Sequence, residues 1–216
     1  MDFVDILGPH PSPPDPIGVH ISAKDDHTLH RVPHRILSDL SIEAPEFTKA
    51  MRQLIITHHC SPESIKRDSK SREIFERQGF KWESRRFPNN SSTQKGNWGE
   101  IFLAEYLVSS CNAKIPVYRL RYNPNIEQSM KGDDVLAFDL DSNPVRILVG
   151  EAKFRSTPTK KVVEEMIEGL TKSNISGIPI SLGFVADRLF EEGNIDLGEK
   201  VDECNILFAE GKLQID

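Results

Sequence analysis

The chain has 216 residues, with 27 Lys and Arg against 33 Asp and Glu for a formal net charge of −6, 38% hydrophobic residues and a mean hydropathy of −0.42. That length buries one good core plus an accessory region, or two small domains, and no apolar run approaches the ~18 residues of a membrane span, so a soluble protein with no membrane partner is expected. The opening Met1-Asp2-Phe3-Val4-Asp5 lacks the basic and apolar segments of a signal peptide, and Cys60, Cys111 and Cys204 are scattered and odd in number, which argues against a disulfide framework or zinc cluster and for a reducing cytoplasm.

Residues 8–18 carry Pro9, Pro11, Pro13, Pro14 and Pro16 and are expected to form an extended arm. Weak strand signals follow around Ile17–Ile21 and a short helical signal around Val32–Leu40. Phe47, Met51, Leu54, Ile55 and His58 recur at helical spacing, predicting an amphipathic helix over 44–58. Ser61-Pro62 supplies an N-cap and a first-turn proline for a second helix that Gly79 closes. All seven histidines precede residue 60. His27, His30 and His34 with His58-His59-Cys60 invite a zinc reading, but Pro33 interrupts the row and nothing fixes a fourth ligand, so surface or capping roles are expected. Lys66 through Arg72, then Arg85-Arg86, form a basic stretch interleaved with Glu63, Asp68, Glu73, Glu76 and Glu83, as on a solvated helix face. The polar run 89–94 reads as a linker. It divides the chain into a mostly helical accessory region, 1–90, and a second domain, 91–216.

The second half predicts a helix over 97–111, with Trp98, Ile101, Phe102, Tyr106 and Leu107 apolar, and a strand over Val117–Tyr122. Strands over 134–140 and 146–153 come next, joined across Asp141-Ser142-Asn143-Pro144. Thr157-Pro158 opens a helix to about Lys172 whose Val162, Val163, Met166, Ile167 and Leu170 make a core-facing stripe. Ile178–Ala186 reads as a final core strand, followed by a helix near 195–204 and a strand at Ile206–Ala209. The pattern is an α/β (α+β) domain, a mixed sheet flanked by helices in the order α-β-β-β-α-β.

The chemistry concentrates at one point. Asp134 opens the strand that begins after Gly132-Asp133, and Glu151-Ala152-Lys153 ends the next one. Residues i and i+2 of a strand share a face, so Glu151 and Lys153 point together, and hairpin pairing sets Asp134 beside them. Two carboxylates and an ammonium at the end of an apolar hairpin are the parts of a magnesium-assisted phosphodiester hydrolase. Asp133 points to the opposite face and ranks below Asp134. Arg155 shares the Glu151/Lys153 face as a candidate phosphate contact.

These residues resemble the PD-(D/E)xK nuclease superfamily. The wording of Gly96–Leu107, Lys131–Phe138 and Val149–Ser156 is similar to the HamA nuclease subunits of Hachiman-type bacterial antiphage systems and the related Abp-type nuclease. The resemblance covers roughly residues 91–190. It implies a restriction-endonuclease-like core and a metal-dependent DNA nuclease in the bacterial cytoplasm. Asp134, Glu151 and the Ala152 backbone carbonyl would hold Mg²⁺ or Mn²⁺, Lys153 would position the attacking water, and Glu100 on the preceding helix would reach a second metal or orient the first. Glu105 lies about 140° around that helix from Glu100 and cannot share its role. The resemblance also implies a separate helicase or ATPase partner (HamB-like), and this chain has no Gly-x-x-x-x-Gly-Lys-Ser/Thr loop of its own.

Charge bears on how DNA would be held. Residues 1–90 carry thirteen basic and thirteen acidic residues, and 91–216 carry fourteen and twenty. An acidic catalytic half is a poor free-standing DNA binder, so either the basic stretch at 66–86 or a partner brings the DNA. Three other readings stand beside the nuclease: a catalytically silent DNA-binding or scaffolding subunit, a glycosidase using Asp134 and Glu151 as its pair, and a charged strand edge that merely discourages aggregation.

Overall fold

In a computed structural model, the structure describes residues 6–40, 45–83, 86–130, 132–157 and 159–216. Arg85, Lys131 and Pro158, which figure in the motifs above, lie outside the described residues. The described elements are α1 (Pro16–His20), β1 (Ile21–His27), β2 (Pro33–Asp39), α2 (Pro45–His59), α3 (Pro62–Arg77), α4 (Ser91–Cys111), a 3-10 turn (Arg119–Tyr122), β3 (Val135–Asp139), β4 (Arg146–Gly150), α5 (Lys160–Lys172), a π-helical turn (Ser173–Gly177), α6 (Ile178–Glu191), α7 (Ile195–Ala209) and β5 (Gln214–Ile215).

The centre is a small mixed sheet in the order β3-β4-β5, β4 antiparallel to β3 and parallel to β5. Lys114 adds an antiparallel bridge to Phe138 on the outer side of β3. Strand alternation assigns the two faces. Val135, Ala137 and Leu148 pack with Ala104, Leu107 and Cys111 of α4, while Phe138 and Ile147 pack with Ile178, Leu182, Val185 and Leu189 of α6 and Val201 and Cys204 of α7. The sheet is therefore covered on both sides by helices, as an α/β layer requires.

The predicted hairpin is present, and its turn carries a cis Asn143–Pro144 bond. Helix α4 starts six residues earlier than its apolar pattern suggests, because Asn90 is no linker residue but an N-cap whose side chain accepts from the amides of Ser92 and Thr93. Helix α3 forms behind its Ser61 cap, with none of its described residues buried, and Arg86 pairs with Asp68 at 3.1 Å.

Several expectations fail, each for a physical reason. The span 178–186 is helical, not a core strand. It belongs to α6, whose buried Ile178, Leu182, Val185/Ala186 and Leu189 recur every three to four residues, and a short apolar run does not by itself tell a buried helix from a buried strand. The span 117–122 is no strand either: Leu120 is buried within a 3-10 turn, and the sheet bridge falls at Lys114. The span 206–209 completes α7, and the parallel strand comes at 214–215. So the order α-β-β-β-α-β is not the one observed. The stripe on α5 is narrower than expected, since Val162, Met166 and Leu170 are half-buried while Val163 and Ile167 are exposed.

Three expectations for the first half are also corrected. The proline-rich arm is packed, with Pro11 and Ile17 buried and Pro16 opening α1 behind an Asp15 cap. Residues 33–39 are a strand paired with β1, not a helix. His58 and His59 are buried rather than superficial, although His59 Nδ1 meets the Ile55 carbonyl in the last turn of α2 as a capping residue would, and His27 and His30 are exposed as expected. The accessory half lies against α4 through polar contacts. His58 Nε2 lies 2.6 Å from Glu105 Oε1, His59 Nε2 lies 3.1 Å from Asn97 Nδ2, and Arg35 donates to the Tyr106 hydroxyl at 3.1 Å.

Because 178–186 is helical, Gly183→Ala should stabilise the protein. A Cβ at Gly183 meets nothing within 4 Å, so the gain should be about 0.5–1 kcal/mol, the helix-interior difference between glycine and alanine. Urea unfolding monitored by circular dichroism checks this, and a loss of stability would contradict the helical assignment.

Candidate active site

The site is built where β3 begins and β4 ends. The register pairs Val135 with Gly150, so the flanking residues Asp134 and Glu151 leave the sheet together. Gly150 allows α4 to come close: a Cβ there would sit 2.8 Å from Leu103 Cδ2 and 3.2 Å from Val135 Cβ. On α4, Ser92, Gly96 and Glu100 are spaced four apart and so share one helical face. That face forms one wall of a cleft of about 490 Å³, and Asp134, Glu151, Ala152, Lys153, Phe154 and Arg155 contribute to the rest. All four candidate side chains, Glu100, Asp134, Glu151 and Lys153, thus meet in one cavity.

Within it, Asp134 Oδ2 accepts the Ala152 amide at 2.9 Å, and Lys153 Nζ lies 4.0 Å from the same oxygen. Lys153 also donates to Glu151 Oε1. One ammonium therefore serves both carboxylates. Burial pushes the Asp134 carboxyl up despite the Ala152 amide, and the charge of Glu151 adds to the rise. Glu100, buried at 8% exposure, is pushed up to about 7 by desolvation first and by the Asp134 charge second. For Lys153, burial pulls its pKa down, but its bond to Glu151 and the charge of Asp134 outweigh that and raise it.

Among the described residues no three His, Cys, Asp or Glu side chains converge on a ready-made metal cage. The donor set nevertheless fits a hard divalent cation. Three carboxylates line one cleft, and two of them hold their protons more tightly than usual because burial and crowded negative charge both disfavour ionisation there. Asp134, Glu151, the Ala152 carbonyl and Glu100 would be the ligands.

Asp133 goes elsewhere, as its alternation with Asp134 suggests. It is buried and accepts hydroxyl hydrogen bonds from Ser173 and Ser181, tying the start of β3 to the α5–α6 junction. Glu105 faces His58. Arg155 lines the cleft but also pairs with Glu165 at 3.3 Å. Two cations near the carboxylates escape a strand-centred reading of the sequence. Lys95 joins the cleft wall once residues 91–96 are known to be helical. Arg119 favours the charged forms of Glu100 and Asp134, yet it comes from a 3-10 turn whose place in space no periodicity reports.

The Glu100 shift makes stability depend on pH. Its folded value of about 7 lies above the ordinary 4.5, so between these values the folded chain binds more protons than the unfolded chain, and stability falls as pH rises through that window. In EDTA, Glu100→Gln should be more stable than the parent at pH 8, on the order of 1–3 kcal/mol, with the gain vanishing near pH 4. Thermal melts at the two pH values check this, and an equal shift at both would remove the cause assigned here.

Comparison with known proteins extends the resemblance beyond its sequence motifs. The chain matches the HamA family over residues 16–208, a span that contains all four candidate residues and reaches well upstream of residue 91. It is 41% identical over 215 residues to the Hachiman protein HamA of Bacillus cereus, an alignment covering 98% of this chain and 76% of that protein. With a family match over most of its length and a relative this similar, the chain belongs to the HamA family.

Proposed function

We propose that the chain is a metal-dependent deoxyribonuclease with a PD-(D/E)xK-type, restriction-endonuclease-like site. In this reading it is the effector subunit of a bacterial antiphage defence complex and works with a separate helicase or ATPase subunit. The observation that carries the reading is the meeting of Glu100, Asp134, Glu151 and Lys153 in one cleft, with the ammonium between the two strand-end carboxylates. A charged strand edge does not require a buried glutamate from a separate helix to face it.

A bound Mg²⁺ or Mn²⁺ would supply positive charge to the scissile phosphodiester and acidify a water. Lys153 orients the attacking water and stabilises the negative charge that builds on the phosphate. The Ala152 amide donates to Asp134 Oδ2 and fixes the side chain, so Oδ1 would be the oxygen offered to the cation. Glu100 at about 7 can take up a proton near neutral pH. The whole net charge of −6 arises in residues 91–216, which favours delivery of DNA by a partner over unaided capture.

Plasmid cleavage with and without Mg²⁺ tests the reading, and no cleavage by the chain together with its helicase partner would sink it in favour of a silent scaffolding subunit. Titration with Mg²⁺ or Mn²⁺ should raise the melting temperature of the parent but not of Asp134→Ala or Glu151→Ala, because ligand binding stabilises only a fold that holds the site. Binding that survives both changes would place the metal elsewhere.

Lys153→Ala should slow single-turnover cleavage by roughly 10²–10³-fold, the loss of one charge-stabilising donor, while metal-dependent stabilisation persists. Unchanged cleavage by this variant would refute the role given to Lys153.

A further inference from the structure

Phe154 is an aromatic side chain that the chemistry above does not use. It follows Lys153 directly, lines the same cleft and is 41% exposed. Lys95 Nζ lies over its ring, 5.8 Å from the centroid. The cations of the cleft wall differ in their commitments. Lys153 is held by Glu151 and Asp134, and Arg155 by Glu165. Lys95 has the Phe154 ring as its described partner, so its charge remains available to an anion.

We propose that this cleft takes a nucleic-acid strand with unpaired bases, Phe154 stacking one base while Lys95 holds the neighbouring phosphate. The proposal rests on the nuclease reading of the same cleft and names its substrate class. A duplex buries its base faces against one another, and only an unpaired base has a face free to lie on an exposed ring. Charge points the same way. Duplex DNA presents one negative charge per roughly 1.7 Å and is gripped by rows of cations, whereas residues 91–216 carry fourteen basic residues against twenty acidic ones. A short single strand needs only one or two phosphate contacts, and stacking supplies the remaining affinity without regard to base identity. The wall leaves room for it, since a Cβ at Gly96 meets nothing within 4 Å.

The test is fluorescence anisotropy on the full chain, with Ca²⁺ in place of Mg²⁺, using a short labelled oligo-dT and a blunt hairpin duplex of equal mass. The parent should bind oligo-dT at least tenfold more tightly than the duplex. Phe154→Ala should weaken oligo-dT binding by roughly tenfold and leave duplex binding unchanged. Phe154→Trp should retain the affinity, and the emission of its new indole should be quenched by oligo-dT. Lys95→Ala should lower the salt slope of oligo-dT binding by about one. Three results would each overturn the proposal: equal binding of strand and duplex by the parent, undiminished oligo-dT binding by Phe154→Ala, or indole emission in the Phe154→Trp variant that is blind to saturating oligo-dT. Cleavage run in parallel with Mg²⁺ and with the helicase partner added separates the two readings. Cleavage indifferent to Phe154 removes the platform alone, and Phe154-dependent binding with no cleavage supports the platform and removes the nuclease.

Discussion

The close approach of α4 to the end of β4 is the constraint on which the site depends. Gly150 stands where a side chain would run into Leu103, and its absence lets the helix lie flush with the sheet. That contact brings Glu100, three residues before Leu103, into the cleft where Asp134 and Glu151 leave the strands. The apolar packing of Ala104, Leu107 and Cys111 against Val135, Ala137 and Leu148 continues it along the sheet. Protein interiors are packed too tightly for such a helix to shift by a fraction of an ångström without moving its neighbours. The placement of the glutamate is thus a consequence of core packing rather than of any polar contact it makes.

The same closeness creates an electrostatic problem. Three carboxylates share one partly desolvated cavity, and Lys153 is the ammonium that touches two of them. The rise of Glu100 and Asp134 above ordinary carboxylate values comes from burial first, with the neighbouring negative charge adding to it. Crowded negative charge is unfavourable for a scaffold and useful for chemistry that recruits positive charge. Asp133, one residue away, shows the contrast. Two serine hydroxyls satisfy it, and it serves to hold the sheet to the α5–α6 junction.

The far side of α4 is organised differently. Glu105, Asn97 and Tyr106 meet His58, His59 and Arg35, so one helix presents a polar seam to the first half of the chain and an apolar stripe to the sheet. Directional hydrogen bonds fix the registry of such a seam, since each buried donor left without its acceptor is costly.

The hairpin, its order and its terminal charges were legible because they rest on local rules. Alternation marks the strands, Asn143-Pro144 marks the turn, and Glu151 and Lys153 share a face by the two-residue period. The cap at Ser61 is equally readable, whereas at Asn90 a polar run disguises the first turn of α4. What local rules could not supply was the environment. Ile178–Ala186 carries both an apolar run and a three-to-four-residue period, and packing against β3 and β4 selects the helix. Residues 33–39 become a strand because 21–27 lie beside them. The sequence by itself determined where the candidate carboxylates and ammonium gather, with three of them at two strand ends. Only the tertiary structure decided that Lys95 and Phe154 join them, and that Glu100, expected there from the family resemblance, lines the same cleft, because that depends on how closely one helix can approach a sheet, and no spacing along a chain encodes a distance between elements.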